Sequence, residues 1–504
     1  MSGTAEGSAA PSAEPRSKSQ SKGIGPFELA FFVVAAAGPL LVVAGYTPLA
    51  FSIGGIGAPG AQLVASLVLL FFAVGLTRMA LRIPNAGAFY AYIGQAFGKM
   101  AGGGAAILAM LAYSTIAIGE VAVVGAFAAT PLARVTGTNV PWWVWALIAL
   151  AVVAFLGHRQ ISVSAKVLGV ALLTEAGILL ILGICVLFRG GPEGFDFSSF
   201  SPSEIFAGGG TGAMFAIVFG AFIGFESTAI YAEESRNPEK TVPRAIYLAV
   251  GFLGIFYTFM AWIIFTAYGK TQIVDAATKD PVGLVFSALE SYVGHPAMVV
   301  TEVLLVTSAF ASALAFHNTA IRYLHALGRE HILPSATAKV HPVHRSPYRA
   351  NMVQTVFSLL VIGAFIVAGA KDAYLGVFLP VVSGGVLAII ILQTACSASI
   401  LVYFNIRHKD HGLSKWGTLI APLLSFVGLL VASYLVAKNF ALLSGQTGWI
   451  NTVLLLSLPA LVLVGVLRTY WLRRHNPEQY ERLTETNVYK VEVPATEFPS
   501  TTRN

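Results

Sequence analysis

Residues Thr211–Tyr231 read TGAMFAIVFGAFIGFESTAIY, an apolar run whose single charge is Glu226. A helix needs about 20 apolar residues to cross a bilayer, and this run has the length. Its middle, Gly220-Ala221-Phe222-Ile223-Gly224, tolerates non-helical dihedrals and invites local unwinding. Lipid offers no partner to the backbone groups that unwinding frees, so a break at this depth belongs beside a protein-lined cavity. Small residues also serve close helix packing, and glycine alone does not separate the two uses.

Eleven further runs of this kind flank it: Leu29–Ile53, Ala61–Thr77, Gly104–Leu132, Trp142–Leu156, Val167–Phe188, Ala245–Tyr268, Met298–Ile321, Met352–Val367, Leu375–Tyr403, Leu419–Val436 and Trp449–Val466. The chain of 504 residues is 56% hydrophobic and 11% charged, with 50 Gly. A soluble domain carries about 25% charged residues, so this chain has too little polar surface for a water-exposed globule. An all-α polytopic membrane protein of about twelve transmembrane helices is expected. Residues 23–470 form the membrane domain, between a polar cytoplasmic tail at 1–22 and a second tail at 471–504. The first tail, rich in Ser, Ala and Glu, has neither the charge pattern nor the apolar core of a cleavable signal.

Cys185 and Cys396, the only cysteines, lie inside apolar runs and read as small hydrophobes. No metal or cofactor is expected. The net charge of +7 is spread over loops between apolar runs and does not imply nucleic acid; the lipid bilayer is the expected surroundings. With the amino terminus inside, 25 of the 31 Lys and Arg fall on the cytoplasmic side, leaving Arg134, Arg189, Lys270, Lys279, Lys371 and Lys438 outside. That asymmetry places both termini in the cytoplasm of an inner-membrane protein and requires an even number of spans.

The first run is interrupted as well, by Gly38-Pro39, Gly45 and Pro48. Proline removes a backbone donor, and paired Gly/Pro breaks at matching places in two halves mark a solute site. Breaks in the first and sixth runs fit a five-plus-five inverted repeat followed by two extra helices.

The sixth run leads into Glu233-Glu234-Ser-Arg236-Asn237-Pro238-Glu-Lys-Thr-Val-Pro243-Arg244. Together with Phe219–Glu226, this closely resembles the sixth-helix signature of the amino acid–polyamine–organocation permease superfamily. Pro84-Asn-Ala-Gly87-Ala-Phe-Tyr90 is similar to that family's loop after the second helix. Asn318-Thr-Ala-Ile-Arg322 through Gly328-Arg329-Glu330-His-Ile-Leu-Pro334 is similar to the end of its eighth. The resemblance runs over about residues 22–470. It implies a LeuT-like fold and a secondary transporter that imports or exchanges small amino-bearing solutes by alternating access, coupled to protons, less readily to sodium. It also implies a solute site at the two breaks: Gly38, Val42, Val43 and Gly45 in the first, and Phe219, Gly220, Ala221, Phe222, Phe225 and Glu226 in the sixth. The family's first helix usually carries a glycine-rich loop whose amides take a carboxylate. Here that place falls on Leu41-Val42-Val43, and Ala44-Gly-Tyr-Thr-Pro48-Leu is more similar to the first helix of polyamine importers. Amino acids and polyamines therefore both stand as substrates.

No Lys or Arg lies within the runs, yet four acids do: Glu120, Glu175, Glu226 and Glu302. Each is costly in a membrane and so a functional candidate. Glu226 follows the sixth-helix break and matches the family's acid there; Glu175 sits on the fifth helix where some relatives carry a Lys in lieu of sodium; Glu120 lies midway along the third. These three are the candidate proton carriers. Glu175 is expected to donate a hydrogen bond to a carbonyl of the broken first helix. Glu302, near the outer end of the eighth, reads as reaching the interface rather than as a proton carrier. Ser308, Ser312 and Asn318 read as interhelical hydrogen bonds more than as ligands. Phe222 and Phe225 either close over a solute or pack. Glu233, Glu234, Arg236, Arg244 and Arg322 read as an inner-gate ion-pair set or as solvated charges. A membrane enzyme would need a nucleophile, metal cluster or acid–base pair that the chain lacks; a sensor would need an output domain larger than residues 473–504.

Overall fold

The computed structural model describes residues 25–83, 87, 89–159, 165–206, 208–226, 228, 237–344, 346–409 and 412–483. The expected tail at 1–22, Pro84 to Ala86, the end of the sixth run, Glu233, Glu234 and Arg236, and residues 484–504 lie outside them. Among the described residues every regular element is helical.

The spans are α1 in two pieces (Pro26–Ala37 and Pro39–Gly54), α2 (Ala58–Arg82), α3 (Lys99–Thr136), α4 (Trp142–Arg159), α5 (Ala165–Arg189), α6 (Thr211–Gly220), α7 (Pro238–Tyr268), α8 (His295–Arg329), α9 (Tyr348–Val367), α10 (Leu379–Val402), α11 (Ala421–Lys438) and α12 (Gly448–His475). Ten of these are long and apolar enough to cross a membrane; α6 and both pieces of α1 are shorter. Exposed side chains such as Phe188, Ile255 and Val367 give the bundle an apolar outside, which suits lipid rather than water. The chain is a multi-pass membrane protein.

Both interruptions fall where the glycines and prolines stand. Gly38 takes a left-handed conformation, φ 58°, and Pro39 restarts the helix without an N–H to satisfy. Val42–Tyr46 then form a widened π turn before the α-helix resumes at Thr47. In α6 regular structure stops at Gly220. The next residues turn through three-residue hydrogen bonds, Phe222 N–H to Phe219 O at 3.1 Å and Ile223 N–H to Gly220 O at 3.1 Å. Gly224 follows at φ 117°, a backbone that a side chain would strain.

The axis of the bundle is α3, which packs against α4, α8, α10 and α12, while α7 lies on α2 and the first piece of α1. Where α12 crosses α3 the backbones touch: a Cβ on Gly465 would stand 2.7 Å from Gly104 Cα. Asn351 ties three helices, its side-chain N–H donating to Ala154 O (2.9 Å) and its Oδ1 accepting from His317 Nε2 (2.8 Å). The carboxyl end of α12 continues into a short helix, Pro477–Arg482, held to the start of α3 by a Lys99–Glu481 ion pair at 2.9 Å.

Candidate solute site

Between the two breaks lies an enclosed cavity of ≈ 10 Å³, about the room of one water. Leu41, Val42 and Tyr46 of α1, Gly220, Ala221 and Ile223 after α6, Ser312 and Phe316 of α8, and Glu120 of α3 wall it. Glu120 is buried, and its Oε1 accepts the Tyr46 hydroxyl at 3.0 Å. Ser312 of α8 stands against the same carboxyl, and Oε2 makes no bond of good geometry. A second cavity of ≈ 10 Å³ adjoins the first, sharing Val42, Tyr46 and Ala221 as a common wall. On its far side stands Gln62 of α2, also buried, with Nε2 unpartnered.

The other acids have different surroundings. Glu226 accepts the Tyr113 hydroxyl at 2.6 Å and the Gly224 N–H at 3.1 Å, and does not line the cavity. It holds the bend of its own segment and ties it to α3. Glu175 accepts the Ser308 hydroxyl of α8 at 2.8 Å and the Leu40 N–H at the break of α1. The expectation of a bond donated to a carbonyl of α1 is thereby corrected: proline leaves Leu40 as the first free amide after the break, and an amide can only donate. Glu302 is buried in the wall of a separate cleft.

Of the solute-site residues read from the sequence, Val42, Gly220 and Ala221 line the cavity; Gly38 and Val43 do not. Gly45 O accepts the Tyr374 hydroxyl. Phe219 packs on Phe215, Phe222 meets Tyr257 edge-on at 5.7 Å, and Phe225 meets Phe72 edge-on at 6.2 Å. All three turn away from the cavity. Tyr46, Gln62 and Phe316 were not singled out; Gln62, alone among the apolar residues of Ala61–Val64, was the signal available.

Aromatic layers close the cavity at both ends. On one side Tyr46 meets Phe378 edge-on at 5.6 Å, Phe378 stacks on Tyr374 at 5.8 Å, and Tyr374 meets Phe127 at 5.6 Å. Beyond Tyr374 and Phe127 a cleft of ≈ 890 Å³ opens, with Asp280, Glu290, Glu302 and Asp372 on its walls beside Lys371. On the opposite side Tyr113 stacks on Tyr323 at 5.0 Å, Tyr323 meets Tyr90, and Tyr90 donates to Glu330 at 3.0 Å. Phe225, Phe72 and Phe89 form a second rank there. Arg244 is exposed, and the remaining acids of the expected ion-pair set lie outside the described residues.

The Tyr374 hydroxyl straps the first seal to α1. Tyr374→Phe removes the strap and keeps both ring contacts. In a background without Cys185 and Cys396, a cysteine at Ser312 should then react several-fold faster with a small thiol reagent entering by the cleft. Unchanged labelling would mean that ring packing alone makes the seal.

A family model described as "Amino acid permease" matches residues 31–481. The branched-chain amino acid permease BcaP of Bacillus subtilis is 25% identical over 315 residues, 59% of this chain and 65% of that protein. The uncharacterized amino acid permease YecA of the same organism is 25% identical over 297 residues, 58% of this chain and 66% of that protein. The match thus spans just under two thirds of the length of these relatives. The low-affinity putrescine importer PlaP of Escherichia coli K12 is 26% identical over 348 residues, 64% of this chain and 73% of that protein.

Proposed function

Because the chain belongs to the amino acid permease family, matched over residues 31–481, we propose that it is a secondary active transporter that imports or exchanges amino acids or organic amines across the inner membrane, coupled to protons. Relatives named for branched-chain amino acids and for putrescine support both solute classes. The observation that carries the reading is the small cavity between two broken helices, with the buried Glu120 carboxyl in its wall. A buried carboxylate is costly, and an ammonium group or a proton removes the cost. Glu175, set between the break in α1 and Ser308 of α8, is the proton carrier of this scheme. The experiment is uptake into liposomes holding the purified protein, with an imposed pH gradient and labelled branched-chain amino acids or putrescine. Accumulation is expected, and its collapse on dissipating the gradient. Uptake that needs sodium instead, or none of either solute by folded protein, would overturn the reading.

Orientation belongs to the same proposal. The large cleft opens to the periplasmic side and the Tyr90–Glu330 side faces the cytoplasm, following the distribution of Lys and Arg. Cysteines placed at the exposed positions Thr278 and Ser414, in a background lacking Cys185 and Cys396, test it. An impermeant maleimide should label the first and spare the second in intact cells. The reverse pattern would invert the topology.

A further inference from the structure

Residues 121–174 and 331–371 contain no Asp or Glu. These two stretches come together where α4 ends and α9 begins, with the Ser346 hydroxyl donating to His158 O. His158 of α4 stands 5.2 Å from His341 and 6.1 Å from His344, ring centre to ring centre, and the latter two stack at 4.8 Å. His341 Nδ1 accepts the Val343 and His344 amides at 3.2 Å each, so the proton of its neutral ring sits on Nε2. That Nε2 has no hydrogen-bond partner among the described residues. Arg159 lies over the Phe155 ring at 5.4 Å and Arg349 over the Tyr348 ring at 5.2 Å, and both are exposed. Among the described residues neither pairs with an acid. Desolvation, then Arg159, His341 and His158 beside it, push the His344 ring below the usual histidine range. Basic groups gathered in this way repel, and an anion set among them removes the cost.

The patch continues into apolar surface. Phe155, Val152 and Ile148 follow one another at helical spacing along α4 and are exposed, as are Met352 and Val356 on the first turns of α9. A basic cap in line with exposed apolar faces fits a molecule with an anionic head and acyl chains; a free anion would use the cap alone. We propose that this corner between α4 and α9 binds an anionic phospholipid, its chains along the apolar faces and its phosphodiester among Arg159, Arg349 and His341 Nε2. A guanidinium offers a planar fork to phosphate oxygens, and the imidazole N–H adds a donor. The inference needs only a membrane protein and is independent of what the chain transports.

The test follows melting of the full-length protein in nonionic detergent as dioleoyl phosphatidylglycerol, dioleoyl phosphatidylcholine or inorganic phosphate is added. Phosphatidylglycerol should reach half its stabilising effect at a concentration about tenfold or more below phosphatidylcholine, the worth of one hydrogen bond to a charged group. Arg159→Gln combined with Arg349→Gln should erase that margin. The same loss of charge at Arg473 and Arg474, exposed at the end of α12, should keep it. If gel filtration shows the double variant unfolded, each single change should still cut the margin about threefold or more. No margin in the wild type overturns the inference. A margin that survives the changes at Arg159 and Arg349, or that the changes at Arg473 and Arg474 abolish equally, overturns it as well. Equal stabilisation by inorganic phosphate at the same concentrations would make this a free-anion site and overturn the lipid assignment.

Discussion

Glu175→Gln should abolish accumulation of solute against its gradient while leaving solute-for-solute exchange intact. The carboxyl accepts from Ser308 on α8 and from the Leu40 amide at the break of α1, so it joins two helices at a point where one has no regular hydrogen bonds. As a carboxylate it serves both donors well; a proton on it weakens the acceptor and loosens α1. Glutamine keeps one good acceptor oxygen, and its amide hydrogens can turn to the Ser308 oxygen, so the packing survives. What it cannot do is titrate. Uptake driven by a pH gradient should fall to the level of passive equilibration, and counterflow should stay within about twofold of wild type. Gradient-driven accumulation that persists in this variant would remove Glu175 from the coupling step.

The largest effect on folding is expected at Gly465. A Cβ there would lie 2.7 Å from Gly104 Cα and 2.8 Å from Gly103 C, so the obstruction is backbone, which no rotamer change relieves. Small residues let membrane helices approach this closely, and their dispersion contacts are much of what holds the pair. Gly465→Leu forces α12 off α3, at a cost of about 3 kcal/mol or more, the upper end for overpacking. Most of the protein should then fail to elute as a single species in detergent, and the survivors should melt well below wild type. Gly363, whose Cβ would meet nothing within 4 Å, supplies the control: Gly363→Ala should leave melting unchanged or raise it slightly. Equal behaviour of the two variants would mean that α12 adds little to the bundle.

The membrane architecture was legible because a continuous apolar run of about 20 residues satisfies its backbone in lipid as a helix, and runs such as Val167–Phe188 declare it by length and apolarity. The two breaks were legible for a similar reason: Gly38-Pro39 combines a lost donor with freedom at positive φ, and Gly220–Gly224 offers that freedom alone, used at Gly224. Where each acid points was not. Glu226 and Glu120 stand alike in apolar sequence, and their surroundings differ through partners distant in the chain, Tyr113 for one and Tyr46 for the other. Phe222 and Phe225 flank the break but face α7 and α2, a matter of rotation after Gly220 that spacing alone does not reveal. The donor at Leu40 follows from Pro39 only once the break is known to lie before it rather than after. Gln62 carried a signal of its own, an amide in an apolar run, which the weight given to charged residues passed over.

The two seals differ in depth, and depth translates into time. Toward the cleft the cavity is shut by one file of rings, Tyr46, Phe378 and Tyr374, with the Tyr374 hydroxyl on Gly45 O and the Tyr46 hydroxyl on Glu120. Toward the other face lie two ranks, with Glu226 and Glu330 each taking a tyrosine hydroxyl. Parting the shallow side disturbs few contacts; parting the deep side requires several to be given up together, and each additional 1.4 kcal/mol slows a step tenfold. The shallow side is therefore expected to open more often than the deep one. On the proposed transporter reading, release toward the deep side is the expected slow step.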